Sequence, residues 1–90
     1  MSEKKQQDET ILIHLVYFGW LAERMGCRSE FRDVVRGVSV EEFLESDLFY
    51  PVETHEKSLL QVAFERIRVS RRFILNVSGE LAFFPPVSGG

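Results

Sequence analysis

The residues best suited to chemistry lie together at the C-terminal end of the chain. The final eight residues are Phe83-Phe84-Pro85-Pro86-Val87-Ser88-Gly89-Gly90. Gly89 and Gly90 carry no β-carbon, so this end could enter a channel that is too narrow for other residues. The rest of the chain contains no convincing catalytic constellation. We therefore expect the chemistry to take place at this tail, where the terminal group is the carboxylate of Gly90.

The residues that precede the glycines suggest how the tail is held. Phe83 and Phe84 are adjacent, so in a strand their side chains point to opposite faces of the sheet. We expect one of them in the core and the other against a partner, although burial of both rings under the sheet and helix is equally compatible with the sequence. Pro85 and Pro86 would stiffen the exit of the tail and lower the entropy that is lost when the tail is threaded.

Other reactive side chains lack partners at useful spacings. Cys27 has no credible histidine and acid near it, which favours a structural or surface thiol over a nucleophile. His14 falls in an apolar segment and His55 in a predicted loop, and their spacing suits no metal site. The chain has no glycine-rich phosphate loop, so we expect any ATP that is used to bind to another protein.

Length and composition indicate one small globular domain. Ninety residues make a single domain, and a hydrophobic content of 44% is ordinary for a soluble protein. The net charge of −3 argues against nucleic acid as the main partner. No apolar run could span a bilayer, and the polar start lacks the apolar stretch of a secretory signal. With a single cysteine, which excludes an internal disulfide, these features predict a cytoplasmic protein.

Hydrophobic patterns and turn residues divide the chain into strands and short helices. Residues 10–18 and 80–84 are the most apolar segments and are rich in residue types that are typical of strands. A capping box of Ser39 and Glu42 predicts the start of the main helix. The predicted elements are strands over residues 10–18, 28–35, 59–64 and 80–84, a helical turn over 20–25, a helix over 39–46, a short segment over 67–69 and a loop over 47–58.

The order strand–strand–helix–strand–strand predicts an α+β fold, with a mixed sheet of about four to five strands and one main helix packed across it. If the first and last strands lie side by side in the middle of the sheet, the tail leaves from a rigid centre. That arrangement is a β-grasp, the ubiquitin-like fold. The predicted organisation is a disordered arm over residues 1–9, a β-grasp domain over residues 10–84 and a flexible C-terminal tail over residues 85–90.

The C-terminal octapeptide resembles the end of the small subunit of molybdopterin synthase, which belongs to the ThiS/MoaD family of sulfur carriers. Residues 16–26, Val-Tyr-Phe-Gly-Trp-Leu-Ala-Glu-Arg-Met-Gly, are similar to that family's first strand, short helix and glycine. Residues 39–44, Ser-Val-Glu-Glu-Phe-Leu, resemble its capped helix. The tail is the most specific of the three segments, and all three occur in the order that the family shows.

The resemblance implies a sulfur carrier that is not an enzyme on its own. A partner adenylating enzyme would join the carboxylate of Gly90 to AMP, using ATP and magnesium, and a persulfide donor would then convert it into a thiocarboxylate. The tail would insert into the large synthase subunit, where the active site transfers the sulfur to a cyclic pyranopterin phosphate in molybdenum cofactor biosynthesis. The tail-insertion residues would be Pro85, Pro86, Val87, Ser88 and Gly89, and the partner-binding residues Phe83 and Phe84.

The same resemblance implies that the chain itself binds no cofactor and no metal, and that it assembles with the large subunit in a heterotetramer. Other functions stay open. A carrier for thiamine thiazole synthesis or tRNA thiolation shares the Gly-Gly ending and the fold. A protein modifier would use Gly90 to form an isopeptide bond to lysine. An interaction domain with a chemically idle tail is the remaining alternative.

A local basic group is the other feature that could bind a partner. Its members are Arg66, Arg68, Arg71 and Arg72. The group could dock the adenylating enzyme or the large subunit. We favour the simpler interpretation, in which these arginines form a solvated face of the sheet.

Overall fold

The computed structural model describes residues 9–86, which form a five-stranded mixed sheet with short helices packed on one face. The strands are β1 (Thr10–Tyr17), β2 (Ser29–Val35), β3 (Gln61–Phe64), β4 (Ile67–Val69) and β5 (Gly79–Phe84), and the helices are α1 (Trp20–Met25), α2 (Val40–Leu44) and α3 (Thr54–Lys57), with a 3₁₀ helix over Asp47–Phe49. The predicted arm falls outside the described residues except for Glu9, and the tail residues 87–90 fall wholly outside them.

The order of the strands across the sheet is β2-β1-β5-β3-β4. β1 and β5 lie parallel in the centre, with Leu15 opposite Leu81 and Tyr17 opposite Phe83, and every other pair is antiparallel. The predicted α+β fold with adjacent first and last strands is therefore confirmed. Since β5 has hydrogen-bonded neighbours on both sides, the tail leaves from the best-supported part of the sheet.

The caps of α1 and α2 follow from the local residue types, whereas the turn between β3 and β4 uses residues that seldom adopt positive φ. Gly26 ends α1 with a φ of 84°, a left-handed conformation that residues with a β-carbon rarely adopt. Ser39 Oγ accepts from the backbone N–H of Glu42 at 3.1 Å, and the Glu42 carboxylate accepts in return from the N–H of Ser39 at 2.9 Å. Glu65 and Arg66 both have positive φ, as a two-residue hairpin turn between β3 and β4 requires.

The segment over residues 47–58 contains more helix than the predicted loop. Besides the 3₁₀ helix, α3 begins with a second capping box, in which the carboxylate of Glu56 accepts from the N–H of Glu53 at 3.0 Å. Both elements are four residues long or shorter, so neither can show a helical hydrophobic period. Pro51 and the nearby charges therefore suggested a loop.

The hydrophobic core lies between the helices and one face of the sheet. Phe49 and Phe83 are its largest wholly buried side chains, and their ring centroids are 5.2 Å apart in an edge-on arrangement. Phe43 packs against Phe49 at 5.5 Å. Burial of the Phe83 ring fixes the end of β5, because sliding the strand would pull that ring out of the core.

A hydrogen-bonded cluster of Tyr17, Glu30 and Arg32 lies at the edge of this core. The buried Tyr17 donates its hydroxyl to Glu30 Oε2 at 2.8 Å, and the Arg32 guanidinium donates to Glu30 Oε1 at 3.0 Å. Burial and the bond to Glu30 raise the pKa of Tyr17. Burial alone would also raise the pKa of Glu30, but the hydrogen bonds from Tyr17 and Arg32 outweigh it, so the pKa of Glu30 is lowered.

We expect Glu30→Gln to reduce the free energy of unfolding by about 1 kcal/mol at neutral pH. A carboxyl group whose pKa is lowered by folding stabilises the folded state above its unfolded pKa and ceases to do so as the pH falls through its folded pKa. The deficit of Glu30→Gln should therefore shrink below pH 4.5, the ordinary pKa of the group. Urea unfolding at neutral and acid pH measures this, with the exposed Glu45→Gln as the control. A deficit that does not change with pH would contradict the assignment.

Candidate functional site

The root of the tail is held on both sides up to the last residue of β5. Phe84 lies opposite Gln61 of β3, and on the other side the N–H of Phe18 donates to the carbonyl oxygen of Phe83 at 3.1 Å. Pro85 follows at once, and its lack of an N–H ends the hydrogen-bond ladder there. Within one residue, the chain therefore changes from a strand that is hydrogen-bonded on both sides to a segment that leaves the sheet.

The turn between β1 and α1 contacts the residues at the start of the tail. We call its residues Phe18 and Gly19 the tail seat. The ring of Phe18 stacks on that of Phe84, with centroids 4.8 Å apart and an interplanar angle of 6°. Gly19 has a φ of 59°, and a β-carbon at this position would lie 3.1 Å from Cγ of Pro85. The missing side chain of Gly19 thus makes the space that Pro85 occupies.

The sequence did not indicate a role for the tail seat. Phe18 falls at the end of the predicted strand over residues 10–18, and both Phe18 and Gly19 belong to the segment that is similar to a known family. An aromatic residue followed by glycine at the end of a central strand was the available signal, but it carried no information about Pro85, which is distant in the chain.

The two adjacent phenylalanines face opposite sides, as strand alternation predicts. Phe83 has no exposed surface and packs in the core, whereas Phe84 is half-buried on the other face. The partner-binding role that we expected for Phe83 does not fit its burial, because a partner cannot reach that side chain in this conformation. Phe84 remains able to make such a contact. Of the tail-insertion residues, Pro85 is half-buried and Pro86 exposed, and Val87, Ser88, Gly89 and Gly90 lie outside the described residues.

The sheet face opposite the helices, here the open face, is partly apolar. Leu12 is 50% exposed, Phe18 45% and Phe31 62%, and the ring of Phe31 stacks on His14 with centroids 4.5 Å apart. Phe84 belongs to the same face. Exposed apolar side chains that share one face of a sheet are typical of a surface that meets another protein.

A shallow groove of about 380 Å³ adjoins the tail root on the open face, and we call it the tail groove. Its lining combines apolar, amide and guanidinium groups: Gln61, Ala63, Arg66, Arg68, Phe84, Pro85 and Pro86. The groove thus places two members of the predicted basic group beside the residues from which the tail starts.

The remaining candidates from the sequence do not form a second site. Burial and the neighbouring Glu30 raise the pKa of the Cys27 thiol, which keeps it protonated and poorly nucleophilic at neutral pH. Within residues 9–86, histidine, cysteine and carboxylate side chains form no group of three that could hold a metal ion. The same residues include no helix with the length and apolar character needed to cross a membrane.

Solved structures with a similar fold include several proteins of archaea. SAMP1 from Haloferax volcanii, a small archaeal modifier protein, is 25% identical with a TM-score of 0.73, and the match covers 88% of this chain and 99% of that one. A Pyrococcus furiosus protein provisionally assigned as molybdopterin converting factor subunit 1 is 20% identical with a TM-score of 0.67, over 86% and 99% of the two chains. Caldiarchaeum subterraneum ubiquitin is 10% identical with a TM-score of 0.61, over 91% and 100%.

No protein-family model matches the chain, and no curated protein matches its sequence. The structural matches span nearly the whole of each neighbour, so they compare complete domains. They confirm the predicted β-grasp and the resemblance to MoaD-like proteins at the level of the fold. The chain therefore has a ubiquitin-like, MoaD-like β-grasp fold.

Proposed function

We propose that this chain is a ubiquitin-like sulfur carrier, whose Gly90 carboxylate is activated by a partner enzyme and delivers sulfur to the precursor of molybdopterin. One observation supports this most. The sequence Phe83–Gly90, which resembles the tail of molybdopterin synthase small subunits, leaves from the central strand of a MoaD-like fold. In this proposal the carrier works in the cytoplasm and alternates between an adenylating enzyme and a large synthase subunit.

The first step makes the carboxylate of Gly90 reactive. One of its oxygens attacks the α-phosphorus of magnesium-bound ATP, forming an acyl–AMP bond and releasing pyrophosphate. The persulfide of a donor protein then attacks the acyl carbon, AMP leaves, and an acyl disulfide remains. A thiol of the adenylating or donor enzyme attacks the donor sulfur of that disulfide, so the two enzyme sulfurs join in a new disulfide and the other sulfur stays on Gly90 as a thiocarboxylate.

The second step transfers the sulfur. The thiocarboxylate is a soft nucleophile that hydrolyses or oxidises in water, so a closed channel in the large subunit has to surround it. The described part of this chain positions the start of the tail. The tail seat and β5 hold Phe84 and Pro85, and these two residues set the direction in which the tail leaves the sheet. The groups that bind the pterin phosphate and move protons belong to the large subunit.

Protein modification is the second candidate, and the structural similarity to SAMP1 favours it. Activation of Gly90 would be the same. The acceptor would be the amino group of a lysine, which attacks the acyl carbon of the adenylate, displaces AMP and forms an isopeptide bond. A sulfur carrier for thiamine or tRNA thiolation would share the thiocarboxylate and differ only in the final acceptor.

The test loads the chain with ATP, magnesium, an adenylating enzyme and a persulfide donor, and follows its intact mass. We expect one oxygen to be replaced by sulfur. The loaded chain is then divided between a large synthase subunit with cyclic pyranopterin phosphate and a lysine-rich protein. Loss of the sulfur with formation of the dithiolene product supports the molybdopterin pathway. Covalent adducts on lysine without that product would support the modifier instead, and a chain that never gains sulfur would exclude every sulfur-carrier hypothesis.

A further inference from the structure

The structure divides the basic group into members with different roles. The Arg71 guanidinium donates to the backbone carbonyls of Lys57 and Leu60 and lies 3.2 Å from the carboxylate of Glu41, so it links elements within the fold. Arg66 and Arg68 line the tail groove instead. They are exposed, so their charges are available to a second molecule.

The tail groove is positively charged in a chain whose net charge is −3. No carboxylate is among its lining residues. The acid that is nearest in sequence, Glu65, is engaged elsewhere, because its Oε2 accepts from the N–H of Glu80 at 2.6 Å. Between residues 9 and 86, no carboxylate comes within ion-pair distance of Arg66 or Arg68. The Arg68 guanidinium donates to Gln61 Oε1, which holds it over the sheet.

The tail groove also lies where an enzyme that handles Gly90 has to approach. It shares Phe84, Pro85 and Pro86 with the root of the tail. Whatever their arrangement, the four residues after Pro86 span at most about 14 Å. A protein that encloses the end of the tail therefore comes against the groove, where a carboxylate would meet two guanidinium groups and an apolar side chain would meet Ala63 and Phe84.

We propose that the tail groove docks a carboxylate-bearing segment of the adenylating enzyme, with Arg66 and Arg68 as its charged contacts. This inference rests on the proposed adenylation of Gly90, but it does not depend on the acceptor. We assign the groove to the adenylating enzyme because activation is common to the sulfur-carrier and modifier hypotheses. Exposed charges of this kind mainly accelerate encounter, so they act on KM and leave the chemistry of the bound complex unchanged.

The test reverses both charges in the double variant Arg66→Glu/Arg68→Glu. Its control, Arg28→Glu/Arg72→Glu, has the same net charge but changes exposed arginines that do not line the groove. Pyrophosphate release by the adenylating enzyme that loads the wild-type chain is measured against carrier concentration. We expect KM to rise about tenfold in the double variant with kcat unchanged, and about twofold or less in the control. High salt should reduce the difference in KM between the double variant and the wild-type chain, because exposed charges are screened.

The outcomes separate this inference from the proposed function. If the wild-type chain is adenylated and the double variant behaves like the control, the docking site is refuted while the carrier function stands. If adenylation is normal but sulfur transfer to the large subunit is impaired, the groove serves that subunit and our assignment is wrong. If the wild-type chain is never adenylated, the proposed function itself fails, and the docking site fails with it. Urea unfolding of both double variants checks that a change in KM or in sulfur transfer does not reflect loss of the fold.

Discussion

Gly90→Ala is expected to stay folded and to lose sulfur loading, as is a chain with one residue added after Gly90. In the proposed function, a β-carbon at Gly90 would obstruct the narrow channel of the partner enzyme, and an added residue would move the carboxylate by about 3.4 Å. Misplacement of a reacting group by about 1 Å can already lower a rate about a hundredfold. We therefore expect loading to fall by about a hundredfold or more in both variants. Intact mass measures the fraction of chain in which sulfur has replaced oxygen.

The matched control for the added residue is a chain with one residue placed before Met1, which should load at the wild-type rate. Unfolding by urea should be the same for all of these chains, since the core described here is built from residues that none of the changes alters. Normal loading of the Gly90→Ala chain or of the C-terminally extended chain would refute the proposed chemistry at Gly90.

Gly19→Ala is expected to slow adenylation because it disturbs the tail seat. The new β-carbon would lie 3.1 Å from Cγ of Pro85, so the Pro85 ring has to shift by a few tenths of an ångström at the start of the tail. We expect kcat at saturating carrier to fall about tenfold. Gly26→Ala is the control: Gly26 also has positive φ, but nothing lies within 4 Å of the added β-carbon. Both variants should lose about 1–2 kcal/mol of stability through backbone strain, and only Gly19→Ala should lose activity.

Phe18→Ala tests the same seat without changing the backbone. It removes the ring that stacks on Phe84 at 4.8 Å, and its counterpart Phe31→Ala removes a ring that stacks on His14 elsewhere on the open face. We expect kcat to fall for Phe18→Ala and to stay unchanged for Phe31→Ala. Equal kcat values for wild type, Gly19→Ala and Phe18→Ala would show that the tail seat does not position the tail.

Much of the fold could be predicted because it depends on local signals. The apolar residues of β1 and β5 predicted the central strands, and the Ser39–Glu42 capping box predicted the start of α2. The predicted helical turn over residues 20–25 corresponds to α1, which Gly26 ends in a left-handed conformation. Each of these signals lies within a few residues of the structure that it determines. The high apolar content of the first and last strands also suggested that they lie side by side in the middle of the sheet, whereas their parallel direction is known only from the structure.

The parts that could not be predicted depend on contacts between distant residues. Gly19 makes room for Pro85 only because β1 and β5 are parallel neighbours, and nothing in the local sequence of Gly19 shows this. The four arginines look alike in the sequence, yet Arg71 is bonded to the backbone of Lys57 and Leu60 while Arg66 faces the tail groove. Helix α3 was missed for another reason, because its four residues are too few to show periodicity.

In the proposed function, the carboxylate of Gly90 is the reactive group and another protein supplies the active site. The most direct test is the mass of the C-terminal peptide of the chain purified from its own host. We expect a peptide that ends at Gly90, with sulfur in place of one oxygen in part of the population. A peptide that continues beyond Gly90 in all molecules, or one whose carboxylate is permanently capped, would contradict it.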